Sequence, residues 1–204
     1  MSVYLGQKAP EFIANTTKGP VSLEDYKGKW VILFSHPADF TPVCTTEFME
    51  FARKYGEFKK LNVELIGLSV DSIYSHIEWM KDIKDKFGIE IPFPVIADIN
   101  KEVAKEYNMM DEKTGSTVRG VFIIDPNQNV RLMIYYPAET GRSVDEIIRT
   151  VKALQMNWDR KLATPVNWKP GDDGIVSAPG TLEEAIAREK TGNKTWYLKF
   201  EKVN

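Results

Sequence analysis

The sequence predicts an α/β fold followed by a C-terminal arm. Two apolar runs, Trp30 to Ser35 and Val63 to Val70, are typical of buried strands, and the residues between them have helical periodicity. A strand, a helix and a second strand in this order form a βαβ unit, which requires parallel pairing and a right-handed crossover. After Trp158 prolines and glycines become frequent, which indicates a change of structure.

The helix of the βαβ unit is expected to run from Thr41 to about Lys60. Thr41 is a good N-cap because its hydroxyl can accept a hydrogen bond from a first-turn amide, and Pro42 suits the first helical position. Apolar residues then recur three or four positions apart, which predicts one inward face. The expected inward residues are Phe48, Phe51, Ala52, Tyr55 and Phe58.

A second helix is expected to open at Ser72 and to close at Gly88. Its apolar residues predict an inward face that leaves His76 on the solvated side. The expected inward residues are Ile73, Ile77, Met80, Ile83 and Phe87. A short strand, Pro94 to Asp98, and a helix near Lys101 to Tyr107 should follow.

A hairpin and a last long helix complete the predicted domain. Arg119 to Asp125 and Val130 to Tyr135 flank a turn of suitable composition, and Ser143 should cap a helix that ends near Trp158. Parallel strands, a hairpin and a final helix together predict an α/β sandwich of the thioredoxin kind, which we assign to residues 1–158.

Residues 159–204 are expected to form an arm with sparse regular structure and a short helix around Glu183 to Lys190. Its proline- and glycine-rich composition is poorly suited to a separate core, yet it is rich in aromatic side chains. These are Trp168, Trp196, Tyr197 and Phe200, together with Trp158, which immediately precedes the arm. Apolar surface of this extent marks interfaces, so we expect the arm to form a two-fold dimer.

The composition excludes several functions. Lys plus Arg is 27 and Asp plus Glu is 29, a net charge of −2, and no basic run suggests a nucleic-acid partner. The first residues lack the features of a signal peptide, and the longest apolar run, Trp30 to Phe34, is too short to span a bilayer; a cytoplasmic protein is therefore expected. One cysteine excludes an intrachain disulfide, and together with two histidines it cannot complete a closed zinc site.

The single cysteine, Cys44, lies in a context that predicts a reactive thiol. If Thr41 is the N-cap and Pro42 the first helical residue, Cys44 lies in the first turn, beside unpaired amides and the positive end of the helix dipole. Thiols in such positions ionise readily and are nucleophiles. The alternative is that Cys44 is a small buried hydrophobe, as single cysteines usually are.

The residues around Cys44 resemble the active site of the peroxiredoxins. The family pattern Pro-x-x-x-Thr-x-x-Cys matches Pro37, Thr41 and Cys44, and Arg119 matches the family's active-site arginine. Thr164 to Asp172 resembles the C-terminal extension of the one-cysteine branch, which includes peroxiredoxins of type 6 and archaeal thiol peroxidases. The resemblance covers essentially the whole chain and implies a thiol-dependent peroxidase in antioxidant defence.

The resemblance also implies the chemistry. The Cys44 thiolate would attack hydrogen peroxide or an organic hydroperoxide and become a sulfenic acid. Arg119 and Thr41 would bind the peroxide, and the backbone amides of Val43 and Cys44 would complete the donor set. Pro37 would shield the pocket from water.

Two further residues, His36 and Arg142, are expected to orient these groups. The residues alone leave other interpretations open, since Arg119 could be a solvated strand end and His36 a satisfied core histidine. His76 is expected to be solvated.

The resemblance implies that no metal, flavin or haem is needed, because the thiol supplies the electrons. Many relatives carry a second, resolving cysteine, and the sequence up to Asn204 has none. We therefore expect the sulfenic acid to be reduced by an external thiol, which a small thiol or a thioredoxin-like protein could supply, or by a cysteine outside these 204 residues. Dimers of the family often assemble further into a ring of five, so we expect at least a dimer and favour a decamer over an isolated dimer.

The sequence bears on three other functions. Acyl hydrolysis, attributed to some vertebrate members, is disfavoured because Lys29 stands where they carry a serine and no Gly-x-Ser-x-Gly occurs. A disulfide oxidoreductase would need Cys-x-x-Cys, which is absent. A chaperone or redox-sensor role could coexist with peroxide reduction.

Overall fold

The computed structural model describes residues 3–191 and 195–203. The strands are β1 (Ile13–Thr16), β2 (Gly19–Ser22), β3 (Trp30–Ser35), β4 (Val63–Ser69), β5 (Val95–Ala97), β6 (Arg119–Ile124), β7 (Val130–Tyr136), β8 (Gly174–Val176) and β9 (Lys199–Glu201). The α-helices are α1 (Pro42–Lys60), α2 (Ile73–Phe87), α3 (Glu102–Glu106), α4 (Val144–Arg160) and α5 (Leu182–Lys190). A single 3₁₀ turn, Leu23–Tyr26, precedes β3.

The first seven strands form one sheet in the order β2-β1-β5-β4-β3-β6-β7. β3 pairs with β4, and β4 with β5, in parallel, whereas β6 pairs antiparallel with both β3 and β7. The predicted βαβ unit and hairpin are therefore confirmed. β3 is buried along its whole length, as expected for a central strand covered on both faces.

Opposite faces of β3 carry different cores, because successive side chains alternate. Val31 and Leu33 belong to a cluster that includes Ile66, Leu68 and Phe122. On the other face, Phe34 stacks on Phe51 of α1 with a 4.3 Å centroid separation and contacts Phe48 and Phe93. This aromatic cluster fixes α1 against the strand that leads into it.

α1 begins at Pro42 with Thr41 as N-cap, as the sequence predicted, but Thr41 does not cap with its side chain. The Thr41 hydroxyl instead donates a hydrogen bond to the carbonyl of Ala38 at 2.9 Å. The expectation of a side-chain cap is therefore wrong. The chain turns sharply before the helix, where Phe40 has a φ of 55°, and this brings the Ala38 carbonyl within reach of the hydroxyl.

The inward face of α2 differs from the predicted one. Its buried residues are His76, Trp79 and Ile83, whereas Ile77 and Phe87 are exposed. The expectation that His76 is solvated is wrong, because both of its ring nitrogens have polar partners inside the protein. Apolar periodicity misleads here because a histidine and a tryptophan, both with polar atoms, form the buried stripe.

β1 and β2 were not predicted from the sequence. β1 pairs antiparallel with β2 and touches the main sheet through the single register pair Thr16↔Ile96. Ile13 is 84% exposed, and this edge ribbon has too few apolar residues to produce a strand signal.

The chain divides into two compact units, Met1–Val144 and Asp145–Asn204. The boundary between these units lies before most of α4, whereas the sequence predicted a boundary after residue 158. Late in α4, Met156 packs with Leu162 and Trp168, and this small cluster joins the helix to the arm. The arm has regular structure only in short pieces, as expected, and its ribbon of β8 and β9 is antiparallel.

None of the helices in the described ranges is both long and apolar enough to cross a membrane.

The C-terminus of α2 gives a matched stability test. Gly88 caps the helix with a φ of 68°, a left-handed conformation that costs an L-residue about 1–2 kcal/mol. Gly56 lies within α1, and apart from its chain neighbours and its own helix backbone no atom lies within 4 Å of the position its Cβ would take. Gly88→Ala should lower the free energy of unfolding by about 1 kcal/mol, and Gly56→Ala should raise it by about 0.5–1 kcal/mol. Urea unfolding measures both, and equal effects of the same sign would contradict this assignment.

Candidate active site

Cys44 is the third residue of α1 and is fully buried. Arg119, at the first position of β6, is only 2% exposed. β6 pairs with β3 so that Val121 lies opposite Phe34, and Arg119 therefore lies near the end of β3, where the chain turns into α1. The Nη1 of Arg119 donates to the Cys44 sulfur at 3.3 Å. The structure thus brings together the two residues on which the predicted chemistry depends.

Arg119 is held in this orientation by two acceptors. Its Nε and Nη2 donate to the carbonyl of Ala138 at 3.0 and 2.7 Å, and Nη1 also donates to the carboxylate of Glu47 at 2.8 Å. The guanidinium cannot rotate without breaking these bonds, so it presents Nη1 to the sulfur in a fixed geometry.

Glu47 is a residue of the site that sequence reasoning missed. It lies three residues after Cys44, on the same face of α1, and is 3% exposed. Its carboxylate accepts hydrogen bonds from both Arg119 and Arg142. An acid three positions after the cysteine, on a helix face that should be buried, was the available signal, because a buried carboxylate needs a partner.

Arg142 completes this ion cluster. Its Nε and Nη2 form a two-pronged contact with Glu47 at 2.9 and 2.6 Å, and its backbone N–H donates to the same carboxylate at 2.8 Å. Nη1 donates to the carbonyls of Ser35 and Gly120, and the guanidinium lies 5.3 Å from the centre of the Phe34 ring. Arg142 therefore joins α1 to β3 and β6 at the site.

Burial by itself raises the pKa of Glu47, but the hydrogen bonds and charge of Arg142, with the charge of Arg119, outweigh it and hold the pKa below 4.5. Glu47 is thus an anion at neutral pH. Two guanidiniums and one carboxylate carry a net charge of +1 beside the Cys44 sulfur.

The loop between β3 and α1 carries the other predicted residues. Pro37, Thr41 and Val43 are each partly exposed and lie at or before the first turn of α1. The Thr41 hydroxyl donates its hydrogen to the carbonyl of Ala38, so in any further hydrogen bond its oxygen acts as the acceptor.

His36 lies in a separate buried cluster with Asp39 and His76. Its Nε2 is 2.8 Å from one Asp39 oxygen, and His76 Nδ1 is 2.8 Å from the other. Burial lowers the pKa of His36. Burial also raises that of Asp39, but the hydrogen bonds from both histidines outweigh this and the pKa of Asp39 falls below its usual range.

Among the described residues, only these three side chains form a group of three or more possible ligands for a metal ion. Their ligand atoms lie within 4.8 Å of one another. The observed separations are those of ordinary hydrogen bonds, so hydrogen bonding alone accounts for the cluster.

Removal of the Glu47 charge should destabilise the fold. Glu47→Gln leaves two buried guanidiniums without their carboxylate partner, and we expect a loss of about 3 kcal/mol in the free energy of unfolding. Glu50→Gln, on the exposed face of α1 where Glu50 pairs with Arg53, should change it by less than about 1 kcal/mol.

The same pair of variants tests a predicted pH dependence of the free energy of unfolding. The folded-state pKa of Glu47 is depressed, so its contribution is complete above pH 4.5 and disappears as the pH falls through the folded value. Unfolding measured between pH 7 and pH 3 should show a shallower acid loss in Glu47→Gln than in Glu50→Gln. Identical slopes would contradict the assigned role.

The sequence and the fold both have close relatives. Residues 5–133 match the AhpC/TSA family, and residues 153–192 match the C-terminal domain of 1-Cys peroxiredoxin. Peroxiredoxin 2 of Picrophilus torridus is 73% identical, over 98% of this chain and 100% of that protein. The peroxiredoxin of Thermoplasma volcanium is 68% identical, over 99% of this chain and 100% of that protein.

Solved structures of other peroxiredoxins have a similar fold. A yeast mitochondrial 1-Cys peroxiredoxin superposes with a TM-score of 0.87 at 40% identity, covering 98% of this chain and 100% of that one. Peroxiredoxin 6 of Arenicola marina gives a TM-score of 0.87 at 38% identity, with 99% of each chain covered. The predicted thioredoxin-like fold is confirmed. The chain belongs to the AhpC/TSA family, in which it is a one-cysteine peroxiredoxin, a thiol-dependent peroxidase.

Proposed function

We propose that Cys44 reduces hydrogen peroxide and organic hydroperoxides as a thiolate. The observation that carries this proposal is the 3.3 Å contact from Arg119 Nη1 to the Cys44 sulfur. Arg119, Arg142 and Glu47 together leave one positive charge beside the sulfur, and a thiolate would neutralise it. A buried cluster with balanced charge is far less costly than one with an unpaired cation.

In the proposed step, the thiolate sulfur attacks the outer, hydroxyl oxygen of the peroxide. A sulfur–oxygen bond forms as the oxygen–oxygen bond breaks, which leaves a cysteine sulfenic acid and releases hydroxide or alkoxide, which takes a proton from water. Arg119 and the amides of Val43 and Cys44 would stabilise the charge as it moves to the leaving oxygen. Thr41 would accept a hydrogen bond from the peroxide hydroxyl, and Pro37 would limit the entry of water.

We further propose that an external thiol restores the enzyme. This thiol would attack the sulfenic acid, release water and form a mixed disulfide, which a second thiol reduces. The absence of a second cysteine in the sequence supports this route. The yeast relative is described as resolved through glutathione and thioredoxin systems, so a small thiol and a thioredoxin-like protein are the two candidates. The proposed location is the cytoplasm.

We also propose that the arm forms a homodimer and that dimers assemble into a decameric ring. Support comes from the second unit, whose exposed side chains include many apolar ones. These are Leu182, Ile186, Trp196, Tyr197, Leu198 and Phe200. A groove of about 400 Å³ lies among Leu182, Ile186 and Trp196. Exposed apolar surface of this kind favours association.

The roles of Cys44 and Arg119 can be tested together. Cys44→Ser should abolish peroxide consumption with excess dithiothreitol while thermal stability is kept. Arg119→Met should slow oxidation of Cys44 about a hundredfold, the effect of losing one preorganised donor. Stopped-flow mixing with one equivalent of peroxide, followed by intact-mass analysis, measures this rate.

Arg53→Met, an exposed change on α1, is the control and should react at the wild-type rate. Turnover in Cys44→Ser would refute the proposed nucleophile. A wild-type rate in Arg119→Met would show that Arg119 serves only the fold.

The association surface has its own prediction. Replacement of Trp196 and Phe200 by serine should lower the molar mass seen by light scattering, because each is a half-exposed aromatic residue of the proposed interface. Val166→Ser, an exposed residue of the arm outside the groove, should leave the mass unchanged. A monomeric wild-type protein would contradict the proposed dimer.

A further inference from the structure

His76 has an environment that a surface histidine would not have. It is fully buried on α2, with Nε2 3.1 Å from the carbonyl of Ile96 and Nδ1 2.8 Å from a carboxylate oxygen of Asp39. A carbonyl accepts hydrogen bonds and cannot donate them, so Nε2 carries a hydrogen. An ionised carboxylate also only accepts, so Nδ1 carries one too. His76 and Asp39 therefore form a buried cation–anion pair.

His36 shares the same carboxylate but is electrically neutral. Its Nε2 donates to the other oxygen of Asp39 at 2.8 Å. Its Nδ1 has no hydrogen-bond partner among the described residues. The ring lies between Phe48 and Trp79, with centroid separations of 4.7 and 5.2 Å. Burial lowers the pKa of His36, which keeps its Nδ1 without a hydrogen, and the cation at His76 already neutralises Asp39.

Asp39 is also the middle of the loop that leads to Cys44. Its backbone N–H donates to Asp71 at 3.1 Å, and Pro37 and Thr41 stand two residues to either side. The main chain at His36 is fixed as well, because its carbonyl accepts from the Thr117 hydroxyl and its N–H donates to Leu68. The Asp39 side chain is thus the anchor of the loop on α2.

We propose that His76 is a positioning residue for peroxide reduction. As a cation it neutralises Asp39, which keeps His36 neutral with a bare Nδ1 and holds the loop that carries Pro37 and Thr41 against α2. This inference rests on the proposed function of Cys44. The charge is essential to it, because an Asp39 carboxylate without a cation would draw a proton onto His36 or onto itself.

The test first removes the positive charge of His76 and then removes the negative charge of Asp39 that it neutralises. His76→Gln keeps a donor of similar reach for the Ile96 carbonyl but places no charge beside Asp39. Oxidation of Cys44 by one equivalent of peroxide should slow about tenfold or more as the loop loses its fixed geometry. Addition of Asp39→Asn leaves a neutral amide, which needs no cation and can still accept from His36, so the double variant should recover most of the rate.

Nitrogen-15 spectra of labelled histidine give a second readout that packing alone would not change. The chain has two histidines, so the wild type should show one bare nitrogen, from His36, and three protonated ones. In His76→Gln the neighbouring acidic groups are Asp39 and Asp71, and the His36 ring should take up a proton at a higher pH than in the wild type. In the double variant its bare nitrogen should return.

Ile83→Val, a buried change on the same helix, is the control for lost packing and should lower the thermal midpoint without slowing the reaction. A wild-type rate and an unchanged His36 spectrum in His76→Gln would overturn the inference, as would a folded double variant that stays slow. Peroxide turnover in Cys44→Ser would instead refute the proposed function and leave the histidine spectra valid.

Discussion

The structure of the site depends on one buried carboxylate between two arginines. Glu47 lies one turn beyond Cys44 on α1 and receives hydrogen bonds from Arg119 of β6 and from Arg142, which follows β7. A carboxylate placed so deeply would be costly alone, and two guanidiniums there would be costly without it. Because each group needs the others, the ion cluster fixes the position of α1 relative to the sheet. In that position Arg119 donates a hydrogen bond to the Cys44 sulfur.

Local sequence signals were sufficient for the elements around the cysteine. Continuous apolar character predicted β3, and its observed bounds, Trp30–Ser35, are those expected. Thr41 and Pro42 predicted the start of α1 and therefore the first-turn position of Cys44. These signals work because caps and periodicity act within a few residues. Arg119 needed the family resemblance, since it lies 75 residues from Cys44 in sequence and no local rule links them.

The features that could not be predicted involve polar groups satisfied at long range. His76 has polar character by sequence, but it is buried because Asp39 and Ile96 provide partners from the loop and from β5. Glu47 was overlooked for the same reason, as its partners come from later strands and loops. β1 was missed because pairing with β2, and not burial, makes it a strand.

The central claim is that Glu47 acts on Cys44 by aiming Arg119. A double-mutant cycle tests it most directly, with Glu47→Gln and Arg119→Met made singly and together, and with the rate of Cys44 oxidation by one equivalent of peroxide as the observable. The account predicts strong coupling, at least about 1 kcal/mol, because Glu47→Gln should add little once Arg119 is gone. If the loss of activation free energy in the double variant equals the sum of the losses in the two single variants, Glu47 and Arg119 act independently, which would contradict the account.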